Sequence, residues 1–147
     1  MNDSFHLSLD TMLCFDVYAA NLAFGRLYKP MLDELGVTYP QFLVLISLWR
    51  EDGQSVGTIS TALGLDSSTL TPMLKRLEQA GLLNRKRDAD DERRVRVSLT
   101  KAGRALQGHA RGVLNRIEES HGLSQAEVQS LQSVLRRLRR ALASAAG

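Results

Sequence analysis

Apolar residues recur at helical spacing along the first third of the chain. At steps of three and four residues, the stripe comprises Leu13, Val17, Ala20, Phe24, Leu27 and Met31. Such a stripe forms one face of an α-helix, which we expect to begin after a cap at Ser8 and to end at Gly36. A second helix is predicted to open with a capping box of Thr38 and Gln41. Residues 42–50 are apolar nearly all round, so this helix should be buried.

Two short amphipathic helices follow, separated by Gly64. The first has a cap at Ser55 and carries on one face Val56, Ile59, Ala62 and Leu63. The second ends at Gly81 and carries Leu70, Met73, Leu74 and Leu77. Because Pro72 would break a mature helix, we expect the second helix either to begin late, near Ser68 or Thr69, or to bend at the proline. Two helices joined by a tight, glycine-containing turn form a helix-turn-helix unit.

The periodicity then changes to two, which is typical of β-strands. Residues 82–87 and 94–99 alternate in this way around the polar segment 88–93. We therefore predict a β-hairpin with a connection longer than a two-residue turn. A helix-turn-helix followed at once by a basic hairpin is a winged helix.

The C-terminal third is predicted to be helical again. Thr100 can cap a helix that runs to about Ser120, although three glycines weaken it, and Ser124 opens a second capping box. The last helix carries an a/d seam of Val128, Leu131, Leu135, Leu138 and Leu142. This seam indicates that the last helix packs against another helix, either in the same chain or in a second subunit. Only residues 143–147 look loose.

The predicted fold class is mainly α with a small β-hairpin wing. We expect residues 1–147 to form a single winged helix-turn-helix domain. Within it, residues 37–100 should form the DNA-binding part, and residues 1–36 and 101–147 should supply N- and C-terminal dimerisation helices.

Composition narrows the class of protein. The 147 residues are 44% hydrophobic and 24% charged, as in a folded globular protein. No apolar stretch is long enough to span a bilayer, and the N-terminal Met-Asn-Asp-Ser lacks the features of a secretory signal, so we expect a cytoplasmic protein without a membrane partner. A single cysteine, Cys14, excludes an intrachain disulfide and a multi-cysteine metal site.

Charge is distributed unevenly along the chain. Residues 1–66 hold three basic and eight acidic side chains, whereas residues 75–111 hold eleven basic and five acidic ones. A cationic surface of this kind favours a polyanion such as nucleic acid, although a solvated charged face would look the same by charge alone.

The polar residues of the second helix-turn-helix helix are candidate contacts to base edges and phosphates of duplex DNA. They are Ser67, Ser68, Thr69, Thr71, Lys75 and Arg76. In the wing, Arg93 and Arg94 lie at the tip, where they suit the minor groove, and Asp91 can hold Arg93 by a bidentate pair. The remaining basic residues of this region are predicted to serve phosphates: Arg85, Lys86, Arg87, Arg96 and Lys101.

The order of these motifs resembles the multiple-antibiotic-resistance regulator (MarR) family over almost the whole chain. The residues that carry the resemblance are Leu63-Gly64-Leu65, Lys75-Arg76-Leu77-Glu78, Gly81-Leu82, Arg85-Lys86-Arg87, Asp91-Glu92-Arg93 and Val97-Ser98-Leu99-Thr100. The wing motif is fairly specific; Ala89 stands where the family often has proline, which affects wing stiffness more than function. The resemblance implies a homodimeric repressor that binds operator DNA.

The N-terminal part resembles one subfamily, the organic hydroperoxide resistance regulators. The matching residues are Leu13-Cys14-Phe15, Tyr18, Leu27-Tyr28-Lys29-Pro30 and residues 35–41, Leu-Gly-Val-Thr-Tyr-Pro-Gln. This resemblance implies that Cys14 senses organic hydroperoxides and that Tyr18, Tyr28 and Tyr39 surround it. Because the chain has no second cysteine, oxidised Cys14 must react further with a small external thiol, a backbone nitrogen or more peroxide.

The residues themselves constrain this hypothesis. Tyr18 lies one helical turn after Cys14, and a phenol hydroxyl that donates to sulfur favours the reactive thiolate, whereas Asp10 opposes it by repulsion. Tyr28 lies 14 positions beyond Cys14, roughly 21 Å along a continuous helix at about 1.5 Å per residue. If Tyr28 contacts the sensor, it must come from the partner subunit, and the same holds for Tyr39.

Two other functions share these features. A repressor of the same fold could be released by a non-covalent phenolic or carboxylate ligand, with Cys14 incidental. Thr11 and Cys14 have the spacing of a thiol-peroxidase motif, but the strand–helix alternation and resolving cysteine of such an enzyme are absent. His6, His109 and His121 lack metal-ligand spacing, so we expect neither a metal nor another cofactor.

Overall fold

The computed structural model describes residues 7–147 and confirms a mainly helical fold with a small antiparallel sheet. A 3-10 turn, Leu9–Thr11, precedes seven helices and three strands. In chain order these are α1 (Leu13–Leu35), α2 (Tyr39–Arg50), β1 (Gln54–Ser55), α3 (Val56–Leu63), α4 (Ser67–Gln79), β2 (Leu83–Arg87), β3 (Val95–Leu99), α5 (Lys101–Ala105), α6 (Gln107–Ser120) and α7 (Gln125–Ala146). The chain divides into a compact unit that ends at Leu114 and a second unit, Asn115–Gly147.

The core of the first unit is built around α2, which is buried as its apolar sequence predicts. The side chains of Phe42, Val44 and Leu45 have no exposed surface. Apolar residues from the helix-turn-helix and from the sheet complete this core: Ile59, Leu70, Leu74, Leu77, Leu83 and Val97. Burying each such side chain stabilises the fold by roughly 1.5–3 kcal/mol.

Most predicted helix ends are confirmed by local hydrogen bonds. Thr38 and Gln41 form the reciprocal capping box of α2, and Ser55, Thr100 and Ser124 each accept a backbone N–H in the first turn of the helix that follows. The prediction for Ser8 is wrong: its hydroxyl caps the 3-10 turn, and α1 begins at Leu13 without a side-chain cap.

Helix α4 begins at Ser67, slightly earlier than Pro72 led us to expect. Its buried residues Leu70, Leu74 and Leu77 lie on both sides of the proline. Their burial stabilises a continuous helix, so the single backbone hydrogen bond that Pro72 removes does not end it.

The sheet contains one strand that the sequence does not reveal. Its order is β1-β3-β2, and both neighbours of β3 are antiparallel to it. The hairpin of β2 and β3 is confirmed, with Leu83 opposite Leu99 and Arg87 opposite Val95. Strand β1 is only two polar residues long, so it shows no alternation and forms only because β3 offers it an edge.

The helix predicted after Thr100 is divided at Leu106 into α5 and α6. The carbonyl of Gly103 accepts a hydrogen bond of 2.9 Å from the indole N–H of Trp49. In a continuous helix that carbonyl would accept from the N–H of Gln107 instead. Trp49 therefore anchors α5 to α2 and uses the acceptor that would have joined α5 to α6.

The second unit contains the end of α6 and all of α7. Helix α7 reaches Ala146, so the expectation of a loose end at residues 143–147 is wrong. None of its residues is buried, and its predicted seam is largely exposed, including Leu131, Leu135 and Leu142.

None of the helices in residues 7–147 is both long and apolar enough to cross a lipid bilayer.

Gly103 is a position at which an added side chain would collide with backbone atoms. An added Cβ would lie 2.0 Å from the carbonyl oxygen of Leu82. We therefore expect Gly103→Ala to lower the free energy of unfolding by about 3 kcal/mol, measured by urea denaturation. The matched control is Gly57→Ala in α3, where the nearest atom to an added Cβ is 3.9 Å away. This change should be neutral or stabilising by up to about 1 kcal/mol, and an equal loss in both variants would contradict the steric argument.

Candidate nucleic-acid interface and thiol site

The polar face of α4 is exposed because its apolar face is buried. Leu70, Leu74 and Leu77 point into the core at steps of four and three residues. The rest of the helix surface carries the predicted contact residues, all of them exposed: Ser67, Ser68, Thr69, Thr71, Lys75 and Arg76. The hydroxyl of Thr71 donates to the Ser67 carbonyl at 2.8 Å, which leaves its oxygen free to accept a second hydrogen bond.

An open cleft of about 930 Å³ lies between α3, the start of α4 and the wing. Hydroxyl groups and guanidinium groups line it together: Ser55, Thr58, Thr61, Ser67 and Thr71 on one side, and Arg85, Arg93 and Arg94 on the other. Hydroxyls donate hydrogen bonds to phosphate oxygens and guanidinium groups pair with them, so the cleft suits a phosphodiester backbone.

The wing tip presents two arginines around one carboxylate. The Nε of Arg93 lies 3.2 Å from Oδ1 of Asp91, and the Nε of Arg94 lies 3.8 Å from Oδ2. The expected pairing of Asp91 with Arg93 is present, but one guanidinium nitrogen makes it rather than two, and the backbone N–H of Arg93 donates to the same oxygen. The Arg93 side chain remains 91% exposed and thus accessible to a groove.

Arg85 has a role that the sequence did not indicate. Glu78 of α4 accepts the backbone N–H of Arg85 at 2.8 Å and its guanidinium Nη2 at 3.2 Å. These contacts tie β2 to α4, and the backbone N–H is the main reason that the pKa of Glu78 is lowered. Lys86 and Arg87, the other predicted phosphate contacts on β2, are exposed.

Arg96 is likewise engaged within the protein. Its Nε donates to Oδ2 of Asp88 at 2.8 Å, and its Nη1 donates to the carbonyl of Gly53 at 2.7 Å. The pKa of Asp88 is lowered, first by the backbone N–H of Asp90 and then by the Arg96 guanidinium. The sequence assigns Arg96 to phosphate, whereas the structure gives it two internal acceptors. The only indication of this ion pair in the sequence is that acidic and basic residues both occur in the hairpin.

The residues predicted to form the thiol site lie far apart along the chain. Cys14 is the second residue of this helix and is exposed, and Tyr18 lies one turn further on with 60% of its surface exposed. Helix α1 continues without interruption to Leu35, so Tyr28 is roughly 21 Å from Cys14 at about 1.5 Å per residue. Within one chain, therefore, Tyr18 is near Cys14 and Tyr28 is not.

Tyr28 and Tyr39 form a pair of their own. Their ring centroids lie 4.8 Å apart, and the Tyr28 ring also packs against Phe42 at 6.2 Å. Burial, and secondarily the neighbouring Tyr39, raise the pKa of Tyr28, so its phenol stays protonated at neutral pH and can donate a hydrogen bond. A cavity of about 270 Å³ opens beside the pair, lined by Asn21, Phe24, Gly25, Tyr28 and Tyr39.

The histidines of the described residues belong to no cluster of potential metal ligands. His109 is exposed on α6, His121 accepts the backbone N–H of Leu123 at 3.0 Å, and His6 lies outside the described residues. Among residues 7–147 no three His, Cys, Asp or Glu side chains are grouped to hold a metal ion.

Comparison with known proteins identifies relatives along nearly the whole chain. Residues 26–108 match the family model of the transcriptional regulators SarA/Rot. The HTH-type transcriptional regulator TtmR of Methylorubrum extorquens is 46% identical over 95% of this chain and 72% of its own. The organic hydroperoxide resistance transcriptional regulator of Bacillus subtilis is 43% identical over 88% of each chain.

Solved structures agree with the fold. Reduced AbfR bound to DNA superposes with a TM-score of 0.80 at 35% identity and covers 95% of both chains. The same regulator has also been solved overoxidized on DNA, with 88% of this chain and 95% of that one covered, 38% identity and a TM-score of 0.71.

The lowered pKa of Glu78 predicts a pH-dependent contribution to stability. The ionised carboxylate is favoured in the folded state, so its contribution is complete above the unfolded-state pKa of about 4.3 and is lost as pH falls through the lower folded-state value. Glu78→Gln should therefore be less stable than the wild type at pH 7, and this difference should shrink below about pH 4. Urea denaturation across this range measures it, and a difference independent of pH would contradict the assignment.

Proposed function

The chain belongs to the MarR/SarA type of winged-helix transcriptional regulators, and from this premise we propose that it is a dimeric repressor that leaves its operator when organic hydroperoxide oxidises Cys14. The observation that carries DNA binding is the single cleft shared by the α4 hydroxyls and the wing guanidinium groups. We assign base and phosphate contacts to the exposed face of α4 and groove insertion to Arg93 and Arg94. The cytoplasm, where DNA is accessible, is the proposed location.

The dimer is proposed from apolar surface that one chain leaves uncovered. On α1, Leu13, Val17 and Phe24 are between 40% and 62% exposed, and the α7 seam is exposed in the same way. An amphipathic helix with no buried residue is stabilised when its apolar face meets another apolar face. Residues 1–36 and 101–147 are therefore assigned to dimerisation and residues 37–100 to DNA.

The sensor is proposed to be completed by the second chain. Cys14 has Tyr18 of its own helix nearby, whereas Tyr28 and Tyr39 are paired at the other end of α1. In a two-fold dimer, the same two surfaces meet twice, so one chain's Cys14 can face the other chain's tyrosine pair. The protonated Tyr28 is then a hydrogen-bond donor to the thiolate.

The redox step follows from thiol chemistry. The thiolate sulfur attacks the terminal peroxide oxygen, an S–O bond forms as the O–O bond breaks, and the alkoxide leaves and takes up a proton to become the alcohol. A small external thiol then attacks the sulfenic sulfur, forms a mixed disulfide and releases water. Overoxidized AbfR is bound to DNA, which supports the view that a bulky adduct rather than added oxygen displaces the wings.

The DNA assignment predicts the effect of removing Arg93, a wing arginine whose side chain is 91% exposed. Arg93→Ala should weaken binding to a duplex selected from a randomised library by about 1–3 kcal/mol and reduce the salt slope by about one. Arg50→Ala removes the same charge at the exposed end of α2 and is the control, for which we expect little change. Fluorescence anisotropy gives both affinities, and native mass spectrometry should find two chains per duplex. Equal losses in the two variants would argue against groove insertion.

The sensor assignment predicts that Cys14→Ser binds the selected duplex and ignores organic peroxide. With wild-type protein, one equivalent of cumene hydroperoxide and a small thiol should abolish binding and leave one adduct, on Cys14. Tyr28→Phe should still bind DNA but react more slowly, because the thiolate loses a donor. Release of DNA while Cys14 stays a free thiol would support a non-covalent ligand instead, and catalytic turnover of peroxide would indicate a thiol peroxidase.

A further inference from the structure

We propose that Asp88 is a positioning residue for DNA binding: with Arg96 and the Gly53 carbonyl it forms a clamp that holds the wing on the body of the domain, so that Arg93 and Arg94 are presented to the groove. This inference rests on the proposed DNA-binding function. It concerns residues that do not themselves line the cleft between the wing and α4.

The clamp joins three parts of the chain through hydrogen bonds. Asp88 follows β2 directly, and its backbone N–H donates to the Arg94 carbonyl at 2.8 Å. Its carboxylate accepts the Asp90 N–H at 3.0 Å and the Arg96 guanidinium at 2.8 Å. The other end of that guanidinium reaches Gly53, in the turn that precedes β1. The wing is thus connected to the turn by one continuous set of charged hydrogen bonds.

The same turn holds β3 at a second point. The Asp52 carboxylate accepts the backbone N–H of Leu99 at 2.9 Å. Strand β3 is therefore tied to residues 52–53 at Arg96 and at Leu99. The wing tip joins this strand at Val95, next to Arg96, so the direction of the tip depends on how firmly β3 is held.

Sheet register explains why Arg96 needs Asp88. Arg96 lies directly opposite Lys86 of β2. Like charges at directly opposite positions repel each other, and a carboxylate beside one of them offsets this cost. Asp88 is 9% exposed although it is charged, and burial at this level is favourable only for a paired carboxylate. The pair is thus part of the architecture of the wing rather than an accidental surface contact.

If Asp88 acted through its charge alone, its neutralisation would change the DNA affinity in the opposite direction from the change that the clamp predicts. A carboxylate near a cationic DNA-binding surface repels phosphate, so its neutralisation should strengthen binding if charge were its only contribution. If Asp88 positions the wing, its neutralisation weakens binding although the protein becomes more positive. The sign of the change therefore distinguishes the two.

The first experiment compares Asp88→Asn with Asp90→Asn on the duplex selected by the wild type. Asp90 is exposed, lies in the same loop and loses the same charge. We expect Asp88→Asn to bind about tenfold more weakly with a salt slope about one unit shallower, and Asp90→Asn to bind as tightly as the wild type or more tightly. Equal or tighter binding by Asp88→Asn would overturn the proposal.

The second experiment measures the clamp without DNA. Amide hydrogen exchange at Asp90 and Leu99 should be faster in Asp88→Asn and in Arg96→Gln, with the double variant no faster than Arg96→Gln, while the Tyr28 region is unchanged. Additive effects of the two substitutions would overturn the pairing. If the wild type selects no duplex at all, the proposed function fails, and the exchange rates still decide whether the clamp exists.

Discussion

Burial of the apolar side chains at the centre of α2 is the constraint on which the first unit depends. The side chains of Phe42, Val44 and Leu45 have no exposed surface, so α1, α3, α4 and β3 must pack around this helix. The packing turns the leucine stripe of α4 inward and its hydroxyl and basic residues outward. The surface proposed to bind DNA is therefore a consequence of core burial: the same helix contributes its apolar side to the core and its polar side to the cleft.

Sequence reasoning was most accurate where structure is local. The capping box of Thr38 and Gln41 and the end of α1 at Gly36 involve atoms within a few residues, and both were predicted correctly. Strand β1 and the interruption at Leu106 depend on β3 and on the Trp49 indole, partners distant in sequence, and neither could be inferred from residues nearby. The exposed face of α4 was predictable from periodicity, because burial of one face fixes the exposure of the other.

The site could be predicted in part for the same reason. Arg93 and Arg94 were placed correctly at the wing tip by the length of the hairpin. Arg85 and Arg96, by contrast, have their guanidinium groups on Glu78 and Asp88, and spacing alone does not distinguish such internal partners from phosphate. The basic residues of this region therefore divide into those proposed only to contact DNA and those whose guanidinium groups also hold the frame, and only tertiary contacts separate the two.

The uninterrupted length of α1 has a consequence for the timing of regulation in a cell. If the tyrosines that complete the thiol site belong to a second chain, a newly synthesised chain has no complete sensor until it meets its partner. Its reactivity is then governed by mass action, so a dilute population responds less than a concentrated one to the same dose of oxidant. Under the proposed function, assembly and sensing would then be a single event, and the protein could not respond to peroxide before it is able to repress.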